Sequence, residues 1–163
     1  MLHPIRVRRT TPQRRKRKTL GGKAQKYPQP PLFSEIQPIE DGFLLLTAKG
    51  LTESFAQDLS AEEKQTMIAT QAATQGALLA TPITKAAWHT RPSWFVIAEN
   101  DRAISPEQER STAKRMGSKT LTVSTSHVAM LAQPEKVAQF IIEAAASLSA
   151  DLAAAKSPQE ALV

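Results

Sequence analysis

Five consecutive apolar residues, Trp94-Phe95-Val96-Ile97-Ala98, stand between Pro92 and the polar trio Glu99-Asn100-Asp101. A short continuous run with such flanks predicts a strand buried on both faces, as in a parallel sheet. Ser105-Pro106-Glu107-Gln108 then reads as a helix start, with a capping serine, proline at the first helical position and Gln at the third. Gly117 is placed to close that helix. Leu121 and Val123 mark a second, shorter strand. From Pro134 onward, Val137, Phe140, Ile141, Ala144 and Leu148 recur at helical spacing. The order strand, helix, strand, helix predicts a right-handed parallel unit.

Upstream the pattern is less regular. Residues 27–42 carry Pro28, Pro30, Pro31 and Pro38 and read as a loop-like connector. Phe43-Leu44-Leu45-Leu46 is a short apolar segment between Gly42 and Gly50. Residues 51–80 look helical, with Ser60 and Glu63 in capping-box spacing and Met67, Ile68, Leu78 and Leu79 as apolar positions. Pro82 ends that region, and Asp151 to Val163 reads as a frayed tail. The expected organisation is a basic arm over 1–26, a connector and short apolar segment over 27–50, and a helical cap-like segment over 51–88. An α/β portion over 89–148 and a flexible tail over 149–163 complete it.

At 163 residues and 17.8 kDa the chain suits one domain. Hydrophobic residues are 41% and aromatics only 5%, so the core should be aliphatic and helix-rich. With no cysteine, disulfides, thiolate zinc sites and a cysteine nucleophile are all excluded. No apolar run approaches the roughly 18 to 20 residues of a membrane span, and no apolar stretch follows the positive start as a secretory signal requires. The expectation is a cytoplasmic protein with no membrane partner.

The net charge of +6 is unevenly placed. Residues 1–26 hold ten of the 21 basic residues and no acid, leaving eleven basic against fifteen acidic residues in the remainder. Such an arm should be disordered. Clustered Arg and Lys neutralise phosphates, so residues 6–26 offer an alternative function: a non-enzymatic protein binding nucleic acid or another polyanion. No aromatic interleaves the arginines to stack bases, and nucleic acid is not the expected partner.

Two polar residues follow the two predicted strands at their C-terminal ends, where open α/β sheets place ligands: Asp101 and His127. A carboxylate bonded to an imidazole fixes its tautomer and stabilises the imidazolium that forms when the ring takes a proton. By spacing alone, Asp101 can equally cap a turn and His127 can be a satisfied loop histidine. His3 and His89 lack metal-ligand spacing, Ser105 is explained as a helix cap, and Ser126 adjoins His127 on a strand exit, where neighbours point apart. No Gly-rich phosphate loop occurs, so neither cofactor nor metal is expected.

The stretch Arg91-Pro92-Ser93-Trp94-Phe95-Val96-Ile97-Ala98-Glu99-Asn100-Asp101-Arg102-Ala103-Ile104 resembles the penultimate strand and acid loop of α/β-hydrolases. Within that fold it is similar to small bacterial hydrolases related to plant methyl esterases and hydroxynitrile lyases. Ser126-His127-Val128-Ala129-Met130-Leu131-Ala132-Gln133-Pro134 resembles their catalytic-histidine loop, and Phe55 to Gln71 their helical cap. The likeness extends back to about Thr19. It implies a partial α/β-hydrolase fold: a helical cap segment and the last two parallel strand–helix units, with the N-terminal half missing. It further implies Asp101 as triad acid, His127 as triad histidine, and a small-molecule ester or related substrate.

One departure is plain. The family's nucleophilic serine sits on a G-x-S-x-G elbow ahead of the acid and histidine, and none of the six glycines here (21, 22, 42, 50, 76 and 117) flanks a serine that way. The expectation is therefore a truncated hydrolase-like chain, inactive alone, whose basic arm is native or arises from a shifted reading frame.

Overall fold

The computed structural model describes residues 27–156, with side chains as far as residue 149. The basic arm lies outside the described residues, as do His3, Gly21, Gly22 and the expectations of disorder or polyanion binding attached to them.

The first part of the described chain is a small antiparallel sheet with helical turns. Strand β1 (Ile36–Pro38) pairs with β2 (Phe43–Leu46), setting Ile36 opposite Leu46 and Pro38 opposite Leu44. The chain reverses between them through Asp41 at φ 55 and Gly42 at φ 76, the left-handed region that glycine enters without steric cost. A short turn, α1 (Ala48–Gly50), runs into a π-type turn at Leu51–Phe55. Thr47 caps α1 by accepting the Gly50 N–H at 2.8 Å. Helix α2 (Ala61–Thr70) opens on the capping box: Ser60 Oγ accepts the Glu63 N–H, and the Glu63 carboxylate accepts the Ser60 N–H at 2.8 Å. Strand β3 (Thr74–Gln75) then returns to the other edge of β2.

This corrects the reading of 51–80 as one helical stretch. Helix is confined to Ala61–Thr70, with β3 and a 3-10 turn at Gly76–Ala80 following. Leu78 and Leu79 are exposed, not inward-facing helix positions. The physical reason lies in Gln71, whose side chain bonds both backbone groups of Leu46 (N–H to Oε1 at 3.1 Å, Nε2 to the carbonyl at 3.0 Å) and draws the chain off the helix.

The second part is a parallel unit. Strand β4 (Trp94–Ala98) pairs in parallel with β5 (Lys119–Val123), Trp94 opposite Lys119 and Ala98 opposite Val123. Between them runs α3 (Pro106–Met116), which Gly117 closes at φ 64. A short helix, α4 (Ala129–Ala132), leads to α5 (Pro134–Lys156). The Ala153-Ala154-Ala155 run carries α5 through the expected frayed tail as far as Lys156, in keeping with alanine's helix propensity. Of β4, Ile97 and Ala98 are buried while Trp94, Phe95 and Val96 are half-buried. The expected burial on both faces is therefore met only at its C-terminal end, because β5 is its one partner strand among the described residues.

Two apolar clusters hold the parts. Val123, Ala129 and Val137 pack β5 against α4 and α5, with Val96 and Leu121 alongside. Ala56, Leu59 and Val128 join the segment before α2 to the loop after β5, with Phe55, Met67 and Ala132 alongside. No helix among the described residues is long and apolar enough to cross a membrane.

Candidate active site

Both parallel strands end at one place. Beyond β4 and β5 the Glu99 N–H reaches the Val123 carbonyl at 2.9 Å, and the Asn100 N–H reaches the Thr125 carbonyl at 3.1 Å. These bonds hold the two exit loops together past the last strand residues. Asp101 therefore sits across from His127, and His127 Nδ1 lies 2.7 Å from Asp101 Oδ2. Asp101 also caps its own turn, since Oδ1 accepts the Ala103 N–H at 2.6 Å and the Ile104 N–H at 3.0 Å. Turn cap and imidazole partner, alternatives in the sequence, are one arrangement here: the turn fixes the carboxylate and leaves Oδ2 for the ring.

The Asp101 side chain is fully buried, whereas that of His127 keeps 31% of its surface exposed. Because Nδ1 faces Asp101, Nε2 is the nitrogen left to exchange a proton with another molecule. Phe55 covers one side of the ring, with centroids 4.8 Å apart. The segment around Phe55 is stitched to both loops: Gln57 Nε2 donates to the Asn100 carbonyl at 2.6 Å, Arg102 Nη1 to the Glu53 carbonyl at 2.9 Å, and the Ser126 N–H to Asp58 Oδ2 at 2.7 Å.

The electrostatics favour a charged pair. Burial pushes Asp101 up, but hydrogen bonds from His127, Ile104 and Ala103, with the His127 charge, outweigh it and hold the carboxyl below its ordinary value. For His127 the hydrogen bond to Asp101 outweighs burial, and the Asp101 and Glu109 charges add to it, so its proton is held above the ordinary imidazole value.

Glu109 belongs to this cluster and was not legible as a site residue from the sequence. It projects from α3 on the same face as Ala113, four residues on, and both are buried. Its Oε2 accepts the Ala98 N–H at 2.8 Å. Burial chiefly, with the Asp101 charge, raises it to about 7. The signal available in the sequence was a glutamate on the apolar side of a helix starting just after the acid loop. Asp101, Glu109 and His127 place ligand-type atoms within 4.8 Å of one another. Both Asp101 oxygens and Glu109 Oε2 already have amide or ring partners.

The other candidates fall elsewhere. Ser105 Oγ accepts the Gln108 N–H at 3.2 Å, as a helix cap does. His89 stacks on Trp88 with ring centroids 3.7 Å apart. Ser126 is fully buried, and its backbone N–H donates to Asp58 Oδ2 outside the cluster. An apolar cavity of about 500 Å³ lies between the small sheet and α2, lined by Leu44, Leu46, Leu51, Phe55 and Met67 among others. Phe55 is common to the cavity and the His127 ring.

Comparison with known proteins agrees with the fold. The model of the "Alpha/beta hydrolase family" matches residues 11–140, beginning inside the basic arm and upstream of Thr19. Among solved structures, polyneuridine aldehyde esterase superposes with a TM-score of 0.57 at 13% identity, covering 68% of this chain and 47% of that one. A histidine-to-alanine mutant of that esterase gives 0.56 at 13% identity, covering 66% and 46%. The chain thus spans about half the length of these structures, and at such identity the likeness is one of fold. No curated protein matches it. With four-fifths of its length inside the family match and its two parallel strands in place, the chain belongs to the alpha/beta hydrolase family.

Proposed function

We propose that this chain carries the acid–histidine half of a carboxylic-ester hydrolase site, with Asp101 as the acid and His127 as the general base, and that alone it does not turn over esters. The observation that supports the acid–base half is the 2.7 Å contact between His127 Nδ1 and the buried Asp101, at the ends of two adjacent parallel strands. In such a site Nε2 takes the proton of an attacking hydroxyl and passes it to the leaving alkoxide, while the carboxylate stabilises the imidazolium between the two steps. The 163 residues contain no G-x-S-x-G, so His127 has no elbow serine in this chain to activate. Removing members of a triad costs on the order of 10⁴ to 10⁶ in rate. The esterases among similar structures and the apolar cavity beside Phe55 favour small esters with a hydrophobic acyl or alcohol part as the substrate class.

The test is an assay of the purified full chain on short-chain aryl esters. No turnover above buffer is expected. Turnover that His127→Ala abolishes would overturn the inactive reading and reveal a nucleophile outside the elbow pattern.

A further inference from the structure

Glu109 has no part in the proton transfer assigned to Asp101 and His127, yet it is buried against both. Carboxyl groups in such positions are costly to charge, and this one is held by the Ala98 N–H at the very end of β4. We propose that Glu109 is a positioning residue of the dyad, which docks on the Ala98 amide beside Asp101 and sets how tightly His127 holds its proton. The inference rests on the reading of Asp101 and His127 as an acid–base pair.

Three observations carry it. The Glu109 carboxyl lies within 4.8 Å of both other groups, at a site where residue exposure is only 7% for Glu109 and 6% for Asp101. In so dry a setting charges are weakly screened. Its carboxyl is held by the Ala98 N–H on one side and interacts with the Asp101 side chain, which itself accepts two N–H groups and meets the imidazole. Finally, its titration falls at about 7, close to the range in which an imidazole titrates.

The consequence is a coupled pair of titrations. While Glu109 is neutral, Asp101 is the only anion of the cluster facing the ring. When Glu109 ionises, a second negative charge arrives, disfavoured by Asp101 and favoured by a protonated His127. The charged groups acting on Glu109 are thus Asp101, from the loop after β4, and His127, from the loop after β5. Asp58, on the segment before α2, is bound to the Ser126 amide. A glutamate serving only to cap the Ala98 amide would be replaced by glutamine without any effect on the ring, since the amide oxygen accepts the same bond.

The experiment is an NMR titration of the full chain, following the His127 ring and the ¹³C carboxyl signal of Glu109, in wild type, Glu109→Gln and Asp101→Asn. The wild-type Glu109 carboxyl should titrate near 7, a measurement that depends on no variant. In Glu109→Gln the His127 midpoint should fall by about half a pH unit or more. A Glu109 midpoint in the ordinary carboxylate range, or an unchanged His127 midpoint in Glu109→Gln, overturns the inference. Asp101→Asn separates the two readings. If it lowers the His127 midpoint while Glu109→Gln does not, only the role of Glu109 fails. If it leaves the midpoint unchanged, the acid–base pair itself fails.

Discussion

Phe55 rests its ring 4.8 Å from that of His127, at an interplanar angle of 48°, and the same side chain walls the apolar cavity under α2. One residue thereby links the loop after β5 to the small antiparallel sheet. Phe55→Ala should destabilise the chain by about 2 to 3 kcal/mol, somewhat less than a fully buried aromatic truncation because Phe55 is only half-buried. Phe55→Leu should recover most of that. Urea denaturation of the two variants checks the difference, and equal stability to wild type in Phe55→Ala would contradict the link.

The α3 helix carries Glu109 to its place, and its start depends on Ser105 Oγ accepting the Gln108 N–H. Ser105→Ala removes that acceptor and should cost about 1 kcal/mol. Ser105→Asp should restore the cap, with a favourable charge at the helix N-terminus. Thermal unfolding of the pair reads the effect; a Ser105→Asp variant as unstable as Ser105→Ala would count against the cap.

Stability should depend on pH in a definite direction. Glu109 is raised from 4.5 to about 7 on folding, so the folded state keeps a proton that the unfolded state has released. Its contribution is full below about pH 4.5 and is lost as pH rises through 7. His127, also raised, contributes fully below its ordinary value of 6.5 and loses this as pH climbs through its folded value. Asp101 is lowered, and its contribution is present above its ordinary value and lost as pH falls through the folded one. The chain should therefore be most stable in mildly acid solution and weaken from about pH 5 to 8. Chemical denaturation across that range should show the decline, and Glu109→Gln should flatten it. A stability rising steadily from pH 5 to 8 would contradict both raised groups.

The legible part of the sequence was the part with strong local signals. Trp94–Ala98 is apolar without interruption, Ser105-Pro106 and Gly117 bracket α3, and Pro134 opens α5. Asp101 and His127 were legible because each follows a strand, which places both at one end of a parallel pair. The small sheet was not legible. Strand β1 contains Pro38, β3 has two residues, and both are organised by contacts to Phe43–Leu46 and not by their own periodicity. Likewise Gln71 ends α2 through a bond to Leu46, 25 residues away, which no local pattern encodes. Glu109 escaped for a related reason: its neighbours Ala98, Asp101 and His127 lie on other elements, and a glutamate in the first turns of a helix ordinarily reads as a surface residue.

Titration of the His127 ring by NMR, in the full chain and in Asp101→Asn, tests the acid–base pair most directly. It needs no substrate and no nucleophile. With Nδ1 2.7 Å from a buried carboxylate, the wild-type midpoint should lie above the ordinary 6.5, and Asp101→Asn should bring it down to or below that value. A wild-type midpoint at or under 6.5 that Asp101→Asn leaves in place would mean that Asp101 does not hold the His127 proton, and the chain would have no acid–histidine pair.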